Sequence, residues 1–504
     1  MFEQPTTTLP NALRFWSRAT PSAIALRDGA DAFSYAELHA TAESMASRLA
    51  HAGVRPGDRV ALVSENRAEW VLAFLACLGA GALVVPMNVR LGAAELGRQL
   101  AIATPRLALV SGAYEDLLAR AAPELERRRL EHDAGGAIWR EPALAGGFAP
   151  PAPDAAGLVS FTSGTTGSPK GAVIAQGALA TSAAIYARLL ETASDTTTLV
   201  LVPLVHNTGF LDQLAQMLVV GGGVDLLREF HVGAAIDALA RRPASYLLGV
   251  PSIFRLMMLD PRADAAFGGV RILAYGGAPM PPAWIGELAD RWPALRPFNI
   301  YGLTEFTSLS HALVPEFAVP RADTVGRPVE QVRQRIVVDD GADAAPGEPG
   351  EVWLAGPTRM RGYLSNDAAT AEVFRGPWLR TGDLGAVDGD GFLTLHGRIA
   401  DVIVRGGEKI HASLVESELG SLAGVAEAAV VGVPDDVLQE RVVACVVERP
   451  GHTFEAEQAR ADLRDRIADY AVPDSFLVVD ALPRNANGKI DRARVRAAFT
   501  EVAR

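Results

Sequence analysis

The chain has 504 residues, of which 49% are hydrophobic and 21% charged, and its formal net charge is −12. At roughly 100–200 residues per domain this is a globular chain of two to four domains with ample material for a core. The acidic balance argues against nucleic-acid and anionic-membrane binding, which need clustered Lys and Arg; it leaves anionic small molecules open, because local positive groups can still face a site.

The N-terminal Met1-Phe2-Glu3-Gln4-Pro5 lacks a basic stretch followed by an apolar one, so no signal peptide is expected and the location expected is cytoplasmic. Residues 35–51 carry apolar side chains at helical spacing and stop before Gly53. Residues 59–63 then read as a buried strand, 69–78 as a helix, 82–86 as a strand and 107–110 as another. The apolar run 70–87 contains Gly79, Gly81 and Pro86, which fits a buried helix followed by a buried strand rather than a membrane span. Residues 146–157, rich in Ala, Pro and Gly, read as a connection. The strand rhythm resumes at 199–202, 245–248 and 271–274. Strands that are apolar on nearly every residue and separated by helices predict parallel sheets covered on both faces. From about Thr324 short alternating runs (334–338, 351–354) between Gly and Pro turns predict a small antiparallel sheet or distorted barrel. The last hundred residues read as a separate α+β unit: helix 415–422, strands 425–433 and 442–447, and a charged amphipathic helix within 454–468. The expected fold is therefore α/β: a large N-terminal domain (1–397), a hinge (398–401) and a mobile C-terminal α+β domain (402–504). The two cysteines, Cys77 and Cys445, have neither metal-ligand nor disulfide-framework spacing and are expected to be buried thiols.

Phe161-Thr162-Ser163-Gly164-Thr165-Thr166-Gly167-Ser168-Pro169-Lys170-Gly171 follows a short apolar run. Its glycines free the backbone to wrap an anion, its hydroxyls add donors and Lys170 adds charge, so it reads as a phosphate-binding loop. It is not a Walker A loop, since position six from Gly164 is Pro169. Composition alone leaves a flexible surface loop open.

In order, this run resembles the signature loop of the ANL superfamily of adenylate-forming enzymes, which comprises acyl-CoA synthetases, peptide-synthetase adenylation domains and luciferases. Six further segments resemble the family pattern in the right order: Pro203-Leu204-Val205-His206-Asn207-Thr208-Gly209, Ala274-Tyr275-Gly276-Gly277-Ala278-Pro279, Tyr301-Gly302-Leu303-Thr304-Glu305, Arg380-Thr381-Gly382-Asp383, Gly397-Arg398-Ile399-Ala400-Asp401 and Pro483-Arg484-Asn485-Ala486-Asn487-Gly488-Lys489-Ile490. The resemblance implies ATP and Mg²⁺ as cofactors and CoA as the acceptor thiol. It implies that Thr162, Ser163, Gly164, Thr165, Thr166, Gly167 and Lys170 hold the leaving pyrophosphate, and that Gly276, Gly277, Ala278, Tyr301 and Gly302 border adenine and the acyl group. Thr304 would donate to a phosphate oxygen, and Glu305 would hold Mg²⁺, a hard cation that takes oxygen ligands. Asp383 would accept from the ribose hydroxyls, Arg398 would approach the nucleotide, and Asp401 would be the pivot. Lys489 would bridge the carboxylate and the α-phosphate, and His206 would gate the acyl pocket beside the reacting carboxylate. Gly406 and Gly407 are expected along the pantetheine path. Two departures stand out. His411-Ala412 replaces the common Tyr-Pro after the hinge, and Asn485 replaces the usual Thr before the catalytic lysine.

The acid pocket is expected to draw on His206, Asn207, Phe210, Ser252, Gly276, Tyr301 and Phe306. Asn207 either reads a polar ring substituent, as in aryl-acid adenylating enzymes, or pairs with backbone. Ile300 stands where malonate-activating relatives can place Arg, which disfavours a dicarboxylate. No aspartate obviously suits an α-amino group, although Asp212 lies a little further on. The reaction implied is acid to acyl-adenylate to acyl-CoA. The alternatives are loading onto an acyl carrier protein or coupling to another nucleophile. No carrier domain follows Arg504, so a self-contained loading module is not expected, nor is a nucleic-acid partner or a membrane span.

Overall fold

The computed structural model describes residues 7–130, 151–162, 169–278, 280–339, 341–406, 408–464, 466–485 and 488–502. The chain divides into two compact units, residues 1–334 with 354–380, and 335–353 with 381–504.

The first unit is built on two sheets. One has nine strands, in the order Arg327–Pro328, Ser308–Leu313, Arg296–Leu303, Ile272–Gly276, Tyr246–Gly249, Thr197–Val200, Gly223–Leu226, Ile24–Asp28 and Asp31–Ser34. Its middle six strands are parallel to their neighbours. Both ends are antiparallel. The other sheet has seven strands, in the order Gly362–Tyr363, Lys170–Ala175, Ala156–Thr162, Leu83–Pro86, Arg59–Val63, Leu107–Val110 and Arg127–Arg129. Strands 59–63, 83–86 and 107–110 are buried at nearly every residue, as a parallel sheet covered on both faces requires.

Local sequence explains the element edges. Helix Tyr35–His51 starts at Ser34, whose side chain accepts from Glu37 N–H while Glu37 reaches back to the Ser34 N–H. That reciprocal box satisfies two orphan donors of the first turn. Helix Ala68–Gly79 and strand Leu83–Pro86 account for the long apolar run; Gly81, at φ +69°, turns the chain between them. Among the described residues no helix is long and apolar enough to cross a membrane. Cys77 and Cys445 are buried free thiols.

Strands Arg333–Val337, Gly350–Ala355, Trp378–Val387, Phe374–Arg375 and Leu393–Arg398 make a five-stranded sheet, the half-barrel that the alternating runs after Thr324 predict. Pairing of Asp383 with Arg398 and of Val387 with Leu393 binds residues 381–398 into one hairpin. That pairing is why the second unit takes up the chain at Thr381, ahead of the turn Ile399–Asp401 where the hinge is expected.

The second unit contains a sheet of strands Glu408–His411, Val402–Arg405, Gln439–Glu448 and Val425–Asp435, with Ser475–Val478 alongside. Its two long strands alternate. Val430, Val442, Ala444 and Val446 face a core shared with helices Ala412–Gly420 and Ala456–Arg464. Ala429, Val431, Val433, Val443 and Cys445 face Leu482 and Val495 on the opposite side. A period of two on each strand is what lets one sheet bury both faces.

Candidate active site

Four adjacent parallel strands deliver the motif residues to one edge of the nine-stranded sheet. His206 and Asn207 follow strand Thr197–Val200, and Ser252 follows Tyr246–Gly249. Gly276 ends Ile272–Gly276, and Tyr301 lies near the end of Arg296–Leu303. Since these strands are parallel and consecutive in the sheet, all of these residues lie toward its carboxyl edge, where open α/β sheets bind ligands. Gly276 pairs with Ile300, and a Cβ on Gly276 would stand 2.5 Å from the Ile300 carbonyl, so only glycine fits. Gly277 follows at φ +77°, and Gly277 and Ala278 are exposed.

The Tyr301–Glu305 segment is a strand end that tightens into the 3₁₀ turn Thr304–Phe306. A register shift falls between Tyr301 and Gly302, where the returning strand crosses so closely that a Cβ on Gly302 would lie 1.3 Å from the Ser308 carbonyl. The return itself is strained. Thr307 and Ser308 are consecutive non-glycine residues at φ +52° and +75°. Each such residue costs of order 1–3 kcal/mol and persists only where the surroundings hold it. The hold is a set of hydroxyl bonds. Thr307 Oγ1 donates to the Thr358 carbonyl at 2.5 Å, and Ser182 Oγ donates to the Thr307 carbonyl at 2.7 Å. Ser308 Oγ donates to Asp212 Oδ2 at 2.8 Å.

Glu305 is tied on two sides. Its carbonyl accepts from Met360 N–H at 2.8 Å, and its Oε1 accepts from the Tyr363 hydroxyl at 2.9 Å. Tyr363 sits on strand Gly362–Tyr363, paired with Ala172, and its ring lies under Lys170 with Nζ 5.3 Å from the centroid. Tyr363 thus joins the loop lysine to the carboxylate. Sequence reasoning missed it. The signal was a tyrosine after Gly362, which alone reads as a strand residue. Among the described residues no group of three or more His, Cys, Asp or Glu is placed to hold a metal. A single oriented carboxylate is the donor set that suits Mg²⁺, which binds through one or two carboxylates together with phosphate oxygens. If Tyr363 aims that carboxylate, Tyr363→Phe weakens MgATP binding about tenfold, as loss of a bond that orients a metal ligand does, while leaving ATP binding without Mg²⁺ unchanged; isothermal titration with and without Mg²⁺ checks this.

The signature loop is the connection of a β-hairpin. Thr162 pairs with Lys170, and Thr162 Oγ1 is 3.4 Å from the Lys170 carbonyl. Ser163, Gly164, Thr165, Thr166 and Gly167 lie outside the described residues, as do Pro279 and Gly407.

The expected acid pocket separates into two groups. His206, Asn207 and Tyr301 are half-buried and Ser252 is exposed, and Asn207 Oδ1 stands 3.5 Å from the Ser160 hydroxyl. Phe210 and Phe306 are wholly buried. The Phe210 ring packs 5.4 Å from Phe74 and 6.3 Å from Trp70. It opens a π-helical turn, Phe210–Ala215, which no periodicity argument anticipates.

His311 backs Tyr301, with ring centroids 5.5 Å apart, and its Nε2 is 2.6 Å from Gln334 Oε1. Burial pushes its pKa down to about 4. A histidine whose folded pKa is lowered stabilises the fold fully only above its unfolded value, and that contribution is lost as pH falls from about 6.5 through about 4. The expected loss is about 3 kcal/mol between pH 7 and pH 4. His311→Gln should shrink the pH dependence of urea unfolding by that amount. Asp212 has the opposite sign: burial pushes its carboxyl up to about 7, so its contribution is lost as pH rises toward neutrality.

In the second unit Asp383 is nearly buried, and its Oδ1 meets Arg398 Nε at 2.7 Å across the hairpin. Arg398 Nη1 also donates to the Thr381 carbonyl at 3.2 Å. Asp401 meets Arg492 Nε at 3.1 Å, and Arg492 forks onto Glu416 at 2.5 and 3.0 Å. Asp383, Arg398 and Asp401, expected to serve the nucleotide or the hinge, are thus charge-paired within their own unit. Gly406, at φ +59°, donates its N–H to the Leu438 carbonyl at 2.8 Å. Lys489 is exposed and directly precedes Ile490, which bridges to Arg484 and closes a small loop. Asn485 Oδ1 accepts from Lys489 N–H at 3.1 Å, so the residue that departs from the family pattern holds the loop of the lysine.

The AMP-binding enzyme family matches residues 13–364, and the AMP-binding enzyme C-terminal domain matches residues 414–489. Feruloyl-CoA synthase from Amycolatopsis sp is 34% identical over 484 residues, covering 96% of this chain and 97% of that protein. The fold superposes on o-succinylbenzoate CoA synthetase from Bacillus subtilis, solved with its acyl-adenylate intermediate, with a TM-score of 0.87 at 30% identity over 97% of this chain and 98% of that one. An amide bond synthetase from Marinactinospora thermotolerans superposes with a TM-score of 0.87 at 28% identity over 97% and 99% of the two chains. Family matches to both parts of the chain, and relatives aligned along nearly all of it, agree with the seven motifs: the chain belongs to the AMP-binding enzymes of the ANL adenylate-forming superfamily.

Proposed function

We infer that the chain is an AMP-forming carboxylate–CoA ligase whose acid is aromatic. The observation that carries the reading is the array of His206, Asn207, Gly276 and Tyr301 along the carboxyl edge of four consecutive parallel strands, beside the Thr304–Glu305 turn. A bare Gly276 floor and a half-buried Tyr301 ring suit a flat acyl group. The aromatic acids named for the ferulate and succinylbenzoate enzymes support the same class.

In the first half-reaction a carboxylate oxygen attacks the α-phosphorus of ATP. The new O–P bond forms as the bond to pyrophosphate breaks and its electron pair leaves with that group. The nucleophile is weak and must approach a polyanion, so positioning and charge cancellation carry the catalysis. Lys170 and the 162–167 run take the pyrophosphate, and Thr304 donates to a phosphate oxygen. Glu305, aimed by Tyr363, would hold Mg²⁺, whose chemistry there is neutralisation of phosphate charge. Asp383 receives the ribose hydroxyls and Lys489 takes the charge that builds between carboxylate and α-phosphate. His206 borders the reacting carboxylate. In the second half-reaction the CoA sulfur attacks the acyl carbon and AMP departs, with Asp401 as the pivot between the two states and Gly406 and Gly407 along the thiol path.

The test is a panel of benzoic, cinnamic, arylacetic and aliphatic acids with ATP, measuring pyrophosphate release with and without CoA. Release that is greatest with aromatic acids, together with acyl-CoA formation, is expected; turnover of aliphatic acids alone contradicts the aromatic assignment. The likeness to an amide bond synthetase supports a second reading, in which an amine takes the adenylate. Replacing CoA by an amine or by a carrier protein in the same assay separates the acceptors: an amide product without CoA favours the second reading.

A further inference from the structure

Asp212 belongs to none of the seven motifs, yet it is a carboxyl group only 3% exposed in the middle of the first unit. It lies in the π-helical turn Phe210–Ala215, whose wider winding sets it among three other elements. Its Oδ2 accepts from Ser308 Oγ at 2.8 Å, and its backbone carbonyl accepts from the Tyr246 hydroxyl at 3.0 Å. Tyr186, on helix Gln176–Leu190, brings its hydroxyl to 3.4 Å from the same Ser308 Oγ. A buried carboxyl is expensive unless its bonds are good, so this arrangement asks for an explanation beyond packing.

Ser308 supplies one. It is the second of the two left-handed residues that return the chain after Glu305, and its carbonyl lies against the bare Cα of Gly302. Any drift of Ser308 therefore moves both ends of the turn, Tyr301–Gly302 on one side and Thr304–Glu305 on the other. Asp212 is the acidic side chain bonded to this return of the backbone, through the Ser308 hydroxyl.

We propose that Asp212 is a positioning residue for adenylation, which acts through the Ser308 hydroxyl to fix the Thr304–Glu305 turn against the phosphates of ATP. The proposal rests on the adenylate-forming reading of this site. It makes Asp212 part of the machinery without contact to any substrate, and it explains why a strained serine rather than glycine follows Thr307: glycine would relieve the strain and forfeit the tether.

The experiment compares Asp212→Ala, Asp212→Asn and Ser308→Ala with the wild-type full chain. The readouts are MgATP affinity by isothermal titration, steady-state kcat and KM for MgATP at saturating acid, and thermal stability. Asp212→Ala is expected to weaken MgATP binding and raise its KM about tenfold, the scale of losing one buried hydrogen bond. Asp212→Asn keeps an acceptor oxygen for Ser308 and should restore most of the affinity. Ser308→Ala should match Asp212→Ala, and the double variant should be no worse than either alone, because both cut the same link. If Asp212→Ala is too unstable to assay, Ser308→Ala and Asp212→Asn carry the comparison. Lowered melting temperature with unchanged MgATP affinity and KM in Ser308→Ala would overturn the proposal, as would an Asn variant as weak as the alanine one. Wild-type protein that fails to bind MgATP overturns the underlying reading and this proposal with it.

Discussion

Lys489→Ala is expected to slow adenylation by roughly 10²–10³-fold, about 3–4 kcal/mol of barrier, the scale seen when one preorganised charge donor is removed from a developing anion. The structure allows a clean experiment. Lys489 is exposed, and two bonds to its main chain tie its loop: Asn485 N–H donates to the Lys489 carbonyl at 2.8 Å, and Asn485 Oδ1 accepts from Lys489 N–H at 3.1 Å. Truncation to alanine keeps both bonds, and calorimetric melting of the variant separates a loss of fold from a loss of rate. ATP–pyrophosphate exchange with the preferred acid is the measurement. Thioester formation from a preformed acyl-adenylate, which does not need charge at the α-phosphate in the same way, should survive. Near-normal exchange in the variant would remove Lys489 from its assigned role.

Gly302→Ala is the second large effect, and it works through backbone sterics. The added methyl would start 1.3 Å from the Ser308 carbonyl and 3.1 Å from Leu309 Cα, both main-chain atoms that no rotamer change can clear. The strand pair Arg296–Leu303 and Ser308–Leu313 must therefore open at its bulge. Overpacking against side chains typically costs about 1–3 kcal/mol, and a clash with backbone belongs at or beyond the top of that range. Opening the bulge displaces Tyr301 and the Thr304–Glu305 turn together. A displacement of about 1 Å is enough to cost roughly 10²-fold in rate, so exchange should fall at least that far even in the fraction that stays folded. Calorimetric melting and exchange on the same preparation check both halves. A variant with wild-type melting and wild-type exchange would show that the close crossing is not needed.

The contrast between these residues explains what the sequence made legible. Gly302 was visible as a motif member, but its reason, a bulge crossing against Ser308, exists only once two strands are paired. The helices and buried strands of the first unit were readable because burial imposes period and composition directly: residues 35–51, 59–63 and 107–110 fall where the pattern places them. The strands read at 425–433 and 442–447 fall within Val425–Asp435 and Gln439–Glu448 of the second unit for the same reason. The π-helical turn Phe210–Ala215 was not readable, because its winding departs from the helical spacing on which facing is judged. Tyr363 escaped because its hydroxyl reaches Glu305 from 58 residues away in the chain. Asn485 stood out in the sequence only as a departure from the family pattern; that its side chain accepts from Lys489 N–H needs the folded loop. Arg398 and Asp401 were assigned to nucleotide and hinge; each forms an ion pair, with Asp383 and Arg492 respectively. Local patterns report elements, while tethers between distant segments require the fold.

The central claim is that a carboxylate oxygen of the acid becomes bonded to the α-phosphorus of ATP. Turnover of an acid labelled with ¹⁸O in both carboxylate positions, in the presence of ATP and CoA, tests that bond directly by mass spectrometry of the products. The account predicts AMP carrying one labelled oxygen and pyrophosphate carrying none. Label in inorganic phosphate with release of ADP, or AMP free of label, would contradict it.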